Sequence, residues 1–255
     1  MNRLLILLFS IFLIGCCNEP KLLNNGLTQK ATQITEYTIK VENDSLNNQI
    51  QDTLVITEKK YNENDQIISR HQRNLFADET MGIEFIYNNQ KKIKREIVTL
   101  SNDSSNFIVD YFYKDTLLLK TKSESKNDIF QFKQIGGYKY NSENKLKESS
   151  LKQIYIDVET NDTITNTLEI SKYNDREFVT ESKLSDFRKP ERNRNTEYKY
   201  DCGILMEIKE FNSKDSLIST TEYKYEFDKF ENWTKRESIE NDKLNYIRTR
   251  EIEYK

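Results

Sequence analysis

Glycine, proline and cysteine are scarce in this chain of 255 residues, which contains 6 Gly, 2 Pro and 3 Cys. Three cysteines are too few for the disulfide framework of a small secreted domain. A glycine-rich phosphate loop is also missing, because Gly136 and Gly137 precede a strand pattern rather than a helix. Tight turns must therefore take their left-handed conformations from Asn and Asp, which tolerate them better than other non-glycine residues.

Residue sets that carry catalysis are missing as well. The single histidine, His71, has no cysteine near it in sequence, which favours an ordinary surface position over a role as base or ligand. The Asn- and Asp-rich turns lack the ordered oxygen ligands, the Gly and the later Glu of a calcium loop. We predict no enzymatic activity, no cofactor and no metal site. A hydrolase with dispersed carboxylates is the enzymatic alternative.

No charge of one sign dominates the sequence. Lys and Arg number 39 against 42 Asp and Glu, no basic stripe stands out, and nucleic acid is not an expected partner. A charged fraction of 32 % and a mean hydropathy of -0.82 approach the composition of disordered chains. The 15 Tyr and 13 Phe instead provide material for β-sheets.

The one long apolar run lies at the start, in MNRLLILLFSIFLIGCC. A membrane-spanning helix needs about 20 apolar residues, so we interpret residues 1–15 as a signal peptide. The stretch from Leu13 to Cys16 resembles the bacterial lipobox, which implies that Cys16 carries palmitate or a related acyl chain at the mature N-terminus. The resemblance implies a lipoprotein of the bacterial cell envelope, in the outer membrane. An ordinary signal peptide with an incidental Cys is the alternative.

Residues 16–33 contain no alternating pattern and are interpreted as the lipidated Cys and a flexible tether. The remaining cysteines are Cys17 and Cys202. Because Cys17 lies beside the anchor and would have to reach back into the body, we predict no structural disulfide.

Residues 34–255 consist of short alternating runs broken by polar clusters, which predict antiparallel strands. Tyrosines end these runs at intervals of 25 to 33 residues, most of them close to 26. These tyrosines are Tyr61, Tyr87, Tyr113, Tyr140, Tyr173, Tyr200, Tyr225 and Tyr254. We predict an all-β domain of repeated hairpins of about 26 residues in one long twisted meander sheet, either flat or curled into an open barrel. The charged last strand, RTREIEYK, is expected to protect a free edge.

The repeated unit resembles the YD repeats of the Rhs family and their shorter relatives among lipoproteins of Bacteroidota-type bacteria. Tyr200 and Asp201 keep the dipeptide, whereas Asp65, Asn144 and Glu231 stand where that family has Gly. The resemblance implies stacked β-hairpins. An immunity or toxin-neutralising role follows only by analogy with that family.

A face of aromatic side chains is the candidate ligand surface. Tyr198 and Tyr200 fall on one side of their strand, as do Tyr223 and Tyr225 on theirs. Trp233, the single tryptophan, completes the candidate set. A Trp that only caps the end of the sheet is the alternative.

Five tripeptides of the form Asp-Ser/Thr-Leu/Ile resemble the short O-glycosylation sequon of exported Bacteroidota proteins. Their hydroxyl residues are Ser45, Thr53, Thr116, Thr163 and Ser216. Glycans at turns would suit an exported protein. A turn Asp followed by the start of a strand explains the same pattern without modification.

The functional prediction is a non-enzymatic envelope lipoprotein whose repeat sheet serves as a binding or structural surface. Its expected partners are the membrane, through the lipid anchor, and an envelope protein or glycan. The alternative is a carrier that holds a lipid or other apolar ligand on a curved, aromatic-lined sheet.

Overall fold

The computed structural model describes residues 27–43, 49–101, 103–126 and 128–255. Within these ranges the chain forms sixteen antiparallel strands and one single-turn 3-10 helix, Pro190–Arg192. The strands are β1 Ala31–Asn43, β2 Gln49–Tyr61, β3 Ile67–Asn74, β4 Glu79–Tyr87, β5 Ile93–Leu100, β6 Asp103–Lys114, β7 Leu117–Lys126, β8 Phe130–Tyr140, β9 Leu146–Asp157, β10 Thr163–Tyr173, β11 Val179–Asp186, β12 Arg194–Asp201, β13 Ile204–Asn212, β14 Leu217–Phe227, β15 Trp233–Glu240 and β16 Lys243–Tyr254.

The sheet is a closed barrel in which every strand pairs with its neighbours in the chain and β1 pairs with β16. The closing ladder runs from Ala31 opposite Tyr254 to Lys40 opposite Tyr246. The prediction of an all-β meander is confirmed, and the barrel is closed rather than open. The expectation that β16 protects a free edge is wrong, because closure leaves that strand paired on both sides.

The barrel begins earlier than the expected boundary at residue 34, since β1 starts at Ala31. Leu27 and Ala31 are only 1 % and 0 % exposed and pack with Ile34 in a small core. The last part of the predicted tether, residues 27–33, therefore belongs to the barrel. Residues 1–26, with the predicted signal peptide and Cys16, lie outside the described residues.

A five-residue turn recurs at one end of the barrel, at residues 62–66, 88–92, 141–145, 174–178 and 228–232, and occurs once at the other end, at residues 212–216. Its first residue is Asn or Asp, whose side-chain oxygen accepts the backbone N–H groups of the third and fifth residues. At Asn141 these bonds, from Glu143 and Lys145, measure 3.0 and 2.9 Å. The fourth residue takes a left-handed φ, which is 63° at Asn144. One hairpin geometry is thus reused, and Asn and Asp supply most of the left-handed positions.

Four of the recurring tyrosines link their hairpin to the one before it. Tyr87 donates its hydroxyl proton to the carbonyl oxygen of Ile67, which follows the preceding turn, over 2.7 Å. The same bond joins Tyr113 to Ile93 (2.9 Å), Tyr140 to Leu118 (2.9 Å) and Tyr225 to Leu205 (2.8 Å). We call this end of the barrel, where five of the six five-residue turns also lie, the tyrosine end. The interval of about 26 residues between tyrosines therefore reflects the repetition of this hydrogen bond along the chain.

The two faces of the closed sheet differ in exposure. On β7, Thr121 and Ser123 are 5 % and 2 % exposed, whereas Lys120, Lys122 and Glu124 on the opposite face are exposed. Side chains on the concave face of a barrel converge and cover one another, so we assign the face of Thr121 to the inner wall. The register places the recurring tyrosines on this inner wall, as with Tyr111 opposite Thr121 beside Tyr113.

The outer wall is crossed by ion pairs between neighbouring strands. Lys139 lies 2.6 Å from Glu148, and Lys172 lies 2.9 Å from Glu181. Further outer-wall pairs are Arg95 with Asp110 (2.7 Å), Lys133 with Glu124 (3.5 Å) and Lys235 with Glu226 (2.8 Å). Charged groups therefore lie on the outside of the barrel at several heights.

Candidate functional site

The predicted aromatic surface lies on the inner wall of three strands. Tyr198 and Tyr200 belong to β12, and Tyr223 and Tyr225 belong to β14. Trp233 begins β15, with its ring centroid 6.3 Å from that of Tyr225. The structure thus brings these candidates to one side of the barrel interior.

An ion-pair cluster joins the closing strands beside Trp233. The Nε of Arg250 donates to Glu36 Oε1 over 2.7 Å, and the Nζ of Lys59 lies 3.2 Å from the same oxygen. The guanidinium of Arg250 also stacks on the ring of Trp233, with its central carbon 3.4 Å from the ring centroid. Burial alone would raise the pKa of Glu36, but Arg250 and Lys59 outweigh burial and hold that pKa below its ordinary value.

Three more arginines, Arg70, Arg236 and Arg248, adjoin this cluster; we call them the arginine trio. Arg236 and Arg248 lie directly opposite each other on β15 and β16. None of the trio forms an ion pair with an acidic residue in the part of the chain that the structure describes. The Nε atoms of Arg70 and Arg236 are buried and have no hydrogen-bond partner among the same residues. Desolvation by the surrounding wall, and then the charge of Arg236, lowers the pKa of Arg248.

A groove of three adjoining cavities runs along the inner wall through these residues; we call it the inner-wall groove. The first cavity, of about 330 Å³, is lined by Trp233, Arg250 and Arg236. Arg236 also lines the second, of about 250 Å³, together with Arg248. Arg248 continues into the third, of about 280 Å³, which Arg70 lines from the other side. The aromatic residues along the groove are Phe178, Tyr200, Tyr223, Tyr225, Phe227, Trp233 and Tyr246.

A larger cavity of about 750 Å³ extends the groove toward the tyrosine end. It shares Lys59 with the third cavity of the groove. Its aromatic lining consists of Tyr61, Tyr87 and Tyr113, the first three of the recurring tyrosines. The concave inner surface is therefore continuous from the arginine trio to the repeated turns.

Sequence reasoning missed the charged residues of this groove. A signal was present in RTREIEYK, where Arg248 and Arg250 alternate with Ile252 and Tyr254 and so share the tyrosine face. The same charges were interpreted as protection of a free edge. Their true surroundings depend on the pairing of β16 with β1, which places Arg250 opposite Glu36.

Two of the five predicted glycosylation sites, Thr116 and Ser216, are exposed in turns at opposite ends of the barrel. The Asp before each has a left-handed φ, of 53° and 57°, as expected for a turn Asp followed by a strand. The other three sites are Thr163, the first residue of β10, Thr53, within β2, and Ser45, outside the described residues. Glycosylation of these positions stays a prediction.

Cys202 takes part in a disulfide, so the prediction of no structural bridge is wrong. Cys202 lies in the turn between β12 and β13 at the tyrosine end, where the described chain also begins with Leu27. Cys16 and Cys17 lie outside the described residues, and lipidation of Cys16 stays a prediction. His71 is exposed on the outer wall.

Among residues 27–43, 49–101, 103–126 and 128–255, no group of three or more His, Cys, Asp or Glu side chains is placed to hold a metal ion. Within the same ranges no helix is long and apolar enough to cross a membrane.

Comparison with solved structures shows relatives of the fold. A porin-like protein from Bacteroides uniformis superposes with a TM-score of 0.53 at 12 % sequence identity, over 88 % of this chain and 98 % of that one. A porin-like protein from Bacteroides vulgatus gives a TM-score of 0.54 at 11 % identity, over 89 % and 99 % of the two chains. No family model matches the chain, and no curated protein matches its sequence. At these identities the shared property is the fold.

Proposed function

We propose that the protein is a non-enzymatic binding barrel of the bacterial envelope, held at a membrane by a lipid on Cys16, with its ligand in the inner-wall groove. The observation that carries the proposal is the contrast between the walls: ion pairs cross the outside, whereas aromatic rings and arginines, two of them with an Nε that has no partner among the described residues, line a groove inside. The two porin-like neighbours from Bacteroides support an envelope location.

The outer wall suits water better than lipid. On the lipid face of a membrane barrel, a Lys or Arg near the midplane costs about 2–4 kcal/mol. The outer wall carries Lys133, Lys139, Lys172 and Lys235 on three different strands. The barrel is therefore expected to stand in an aqueous compartment on its anchor instead of spanning the bilayer. Because the described chain starts at the tyrosine end, the anchor would hold that end toward the membrane.

The inner wall has the chemistry of a ligand site. Such sites are concave and combine aromatic surface with a few polar groups that converge on the ligand. The groove offers Tyr225 and Trp233 as rings and Arg236 and Arg248 as donors within adjoining cavities. A closed barrel of sixteen strands has an interior wide enough to admit a ligand to this wall.

A carrier of an apolar ligand is the second candidate, favoured by the cavity lined with Phe178, Tyr200, Phe227 and Trp233. Arg236 and Arg250 line the same cavity. An entirely apolar ligand would desolvate these guanidinium groups without replacing their hydrogen bonds, which is unfavourable. The geometry therefore supports a ligand with polar groups above a purely apolar one.

Fluorescence of Trp233 tests the proposal, since it is the only tryptophan of the chain. The full-length protein, purified in a mild non-ionic detergent, is titrated with neutral oligosaccharides, acidic oligosaccharides and long-chain fatty acids. We expect saturable fluorescence changes with at least one oligosaccharide class and recovery of that ligand chemically unchanged by mass spectrometry. Binding of fatty acids alone would replace the proposal with the apolar carrier, and conversion of the ligand would contradict a non-enzymatic role.

Two matched variants locate the site. Tyr225→Ala removes a ring from the inner wall, and we expect at least tenfold weaker binding. Tyr37→Ala removes a ring from the opposite face of β1, where its hydroxyl lies 3.3 Å from Glu251, and the affinity should not change. Equal affinities in the two variants would place the ligand elsewhere.

A further inference from the structure

We propose that the arginine trio is a binding site for oxyanions, the carboxylate, sulfate or phosphate groups of a ligand held in the inner-wall groove. The inference rests on the proposed function, because it names the chemical class of the ligand at the same site. It concerns Arg70, Arg236 and Arg248, with Arg250 and Trp233 beside them.

The trio brings cations together without a compensating acid. Like charges directly opposite each other on neighbouring strands are destabilising, yet Arg236 and Arg248 occupy such a pair of positions. Glu36 already accepts Arg250 and lies within ion-pair distance of Lys59. Glu240, which borders the second cavity, accepts the side-chain amide of Asn245 over 2.6 Å. A bound anion would supply the negative charge that these strands lack.

Unused hydrogen-bond donors indicate the same ligand chemistry. The Nε atoms of Arg70 and Arg236 are buried and have no partner within the described residues. A buried donor without a partner costs about 1–3 kcal/mol, and nearly all buried polar groups in proteins are bonded. Guanidinium groups match the planar geometry of carboxylate and phosphate groups and bind them through two parallel hydrogen bonds.

The site is reachable from the barrel interior. Arg248 is exposed and lines both the second and third cavities, as does Thr38, whose hydroxyl adds a neutral donor. The guanidinium of Arg236 is held 4.9 Å from the ring centroid of Tyr223 and 5.6 Å from that of Trp233. These contacts restrict the side chain before a ligand arrives, which lowers the entropy cost of binding.

The binding experiment uses small anions as probes. Full-length protein in a non-ionic detergent is titrated with citrate, sulfate and inorganic phosphate at constant ionic strength set with chloride. Trp233 fluorescence and calorimetry report the affinity. For Arg248→Gln we expect at least tenfold weaker binding of the best probe. The matched control is Arg95→Gln, which removes an arginine from the outer wall where it pairs with Asp110 over 2.7 Å, and its affinity should equal that of the unaltered protein.

Stability without added anion gives an independent readout. If Arg248 serves a ligand, Arg248→Gln relieves its repulsion with Arg236, and the barrel should unfold at a higher urea concentration than the unaltered protein. A purely structural role for Arg248 would give the opposite change. The best probe should raise the melting temperature of the unaltered protein more than that of Arg248→Gln, because only the former binds it tightly.

The outcomes separate this inference from the function on which it rests. Binding of neutral oligosaccharides at Trp233 without binding of citrate, sulfate or phosphate would overturn the anion site and leave the binding barrel intact. Equal anion affinities in Arg248→Gln and Arg95→Gln would also overturn it. Failure of every oligosaccharide and every anion to bind would overturn both.

Discussion

The hydroxyl of Tyr87 donates a 2.7 Å hydrogen bond to the carbonyl oxygen of Ile67, which joins the last residue of β4 to the first residue of β3. We expect Tyr87→Phe to lower the free energy of unfolding by about 1 kcal/mol, the usual net contribution of such a bond. Urea denaturation measures the change. Tyr155→Phe is the control, because that hydroxyl has no hydrogen-bond partner in the described chain. Equal losses in both variants would show that the bond to Ile67 contributes nothing specific.

Glu231 occupies the left-handed position of the turn at 228–232, with a φ of 62°. A side chain in this conformation costs about 1–2 kcal/mol, more than the extra chain entropy that Gly loses on folding. Glu231→Gly should therefore raise the free energy of unfolding by about 0.5–1 kcal/mol. Lys229 lies in the same turn but does not have a left-handed φ, so Lys229→Gly should lower the free energy of unfolding. Thermal unfolding of both variants tests the prediction, which fails if the two substitutions act in the same direction.

Glu36 is the acid that compensates Arg250 and Lys59 on the inner wall. Glu36→Gln leaves those cations without their acid, and we expect a loss of about 3 kcal/mol in the free energy of unfolding. Glu148→Gln on the outer wall, where the partner Lys139 is exposed, should cost less than about 1 kcal/mol. Comparable losses in the two variants would contradict a special role for the inner cluster.

Lowering the pH should remove the stabilisation that the Glu36 carboxylate provides. The folded-state pKa of Glu36 lies below its ordinary value of 4.5, so its stabilisation is complete above pH 4.5 and is lost as the pH falls through the folded pKa. Urea midpoints measured below pH 4.5 should fall less steeply in Glu36→Gln than in the unaltered protein. Parallel curves for the two proteins would count against the shifted pKa.

Alkaline unfolding should accompany ionisation of the inner-wall tyrosines. Burial raises the pKa of Tyr61 to about 12 from an ordinary value of 10.0. The pKa of Tyr111 is also raised, by burial and by a 2.5 Å hydrogen bond to Glu96. The native barrel retains these protons after the unfolded chain has released its own, so stability should be full below about pH 10 and decline toward pH 12. Tyrosinate absorbance and circular dichroism should change together; full ionisation near pH 10 with the β spectrum retained would contradict this.

Cys16→Ser should abolish incorporation of radiolabelled palmitate, whereas Cys17→Ser should keep it. Replacing residues 1–16 with a signal peptide cleaved without lipidation should then release the barrel into the aqueous fraction, because ion pairs such as Lys139 with Glu148 lie on the outer wall. Persistent label in Cys16→Ser would contradict the lipobox interpretation. A barrel that stays in the membrane after an alkaline carbonate wash would show that the strands themselves cross it.

The local sequence pattern correctly predicted the hairpins. The tyrosine spacing and the Asn and Asp turns are repeated features within each unit, and each depends on contacts between near neighbours such as Asn141 and Lys145. Closure of the barrel could not be predicted in the same way, because it depends on the accumulated twist of all sixteen strands. The pairing of Glu36 with Arg250 joins residues 214 positions apart. The arginine trio likewise comes from β3, β15 and β16, which only closure brings to one groove.

The pairing of β1 with β16 has a consequence for how the protein is made. Ala31 is synthesised long before Tyr254, yet these residues lie opposite each other in the closing ladder. Until β16 pairs with β1, the incomplete sheet exposes two long unpaired edges, which are open to aggregation. Truncated products should accordingly be the chief targets of chaperones and proteases, and a premature stop within β16 should reduce the amount of protein far more than its few missing residues suggest.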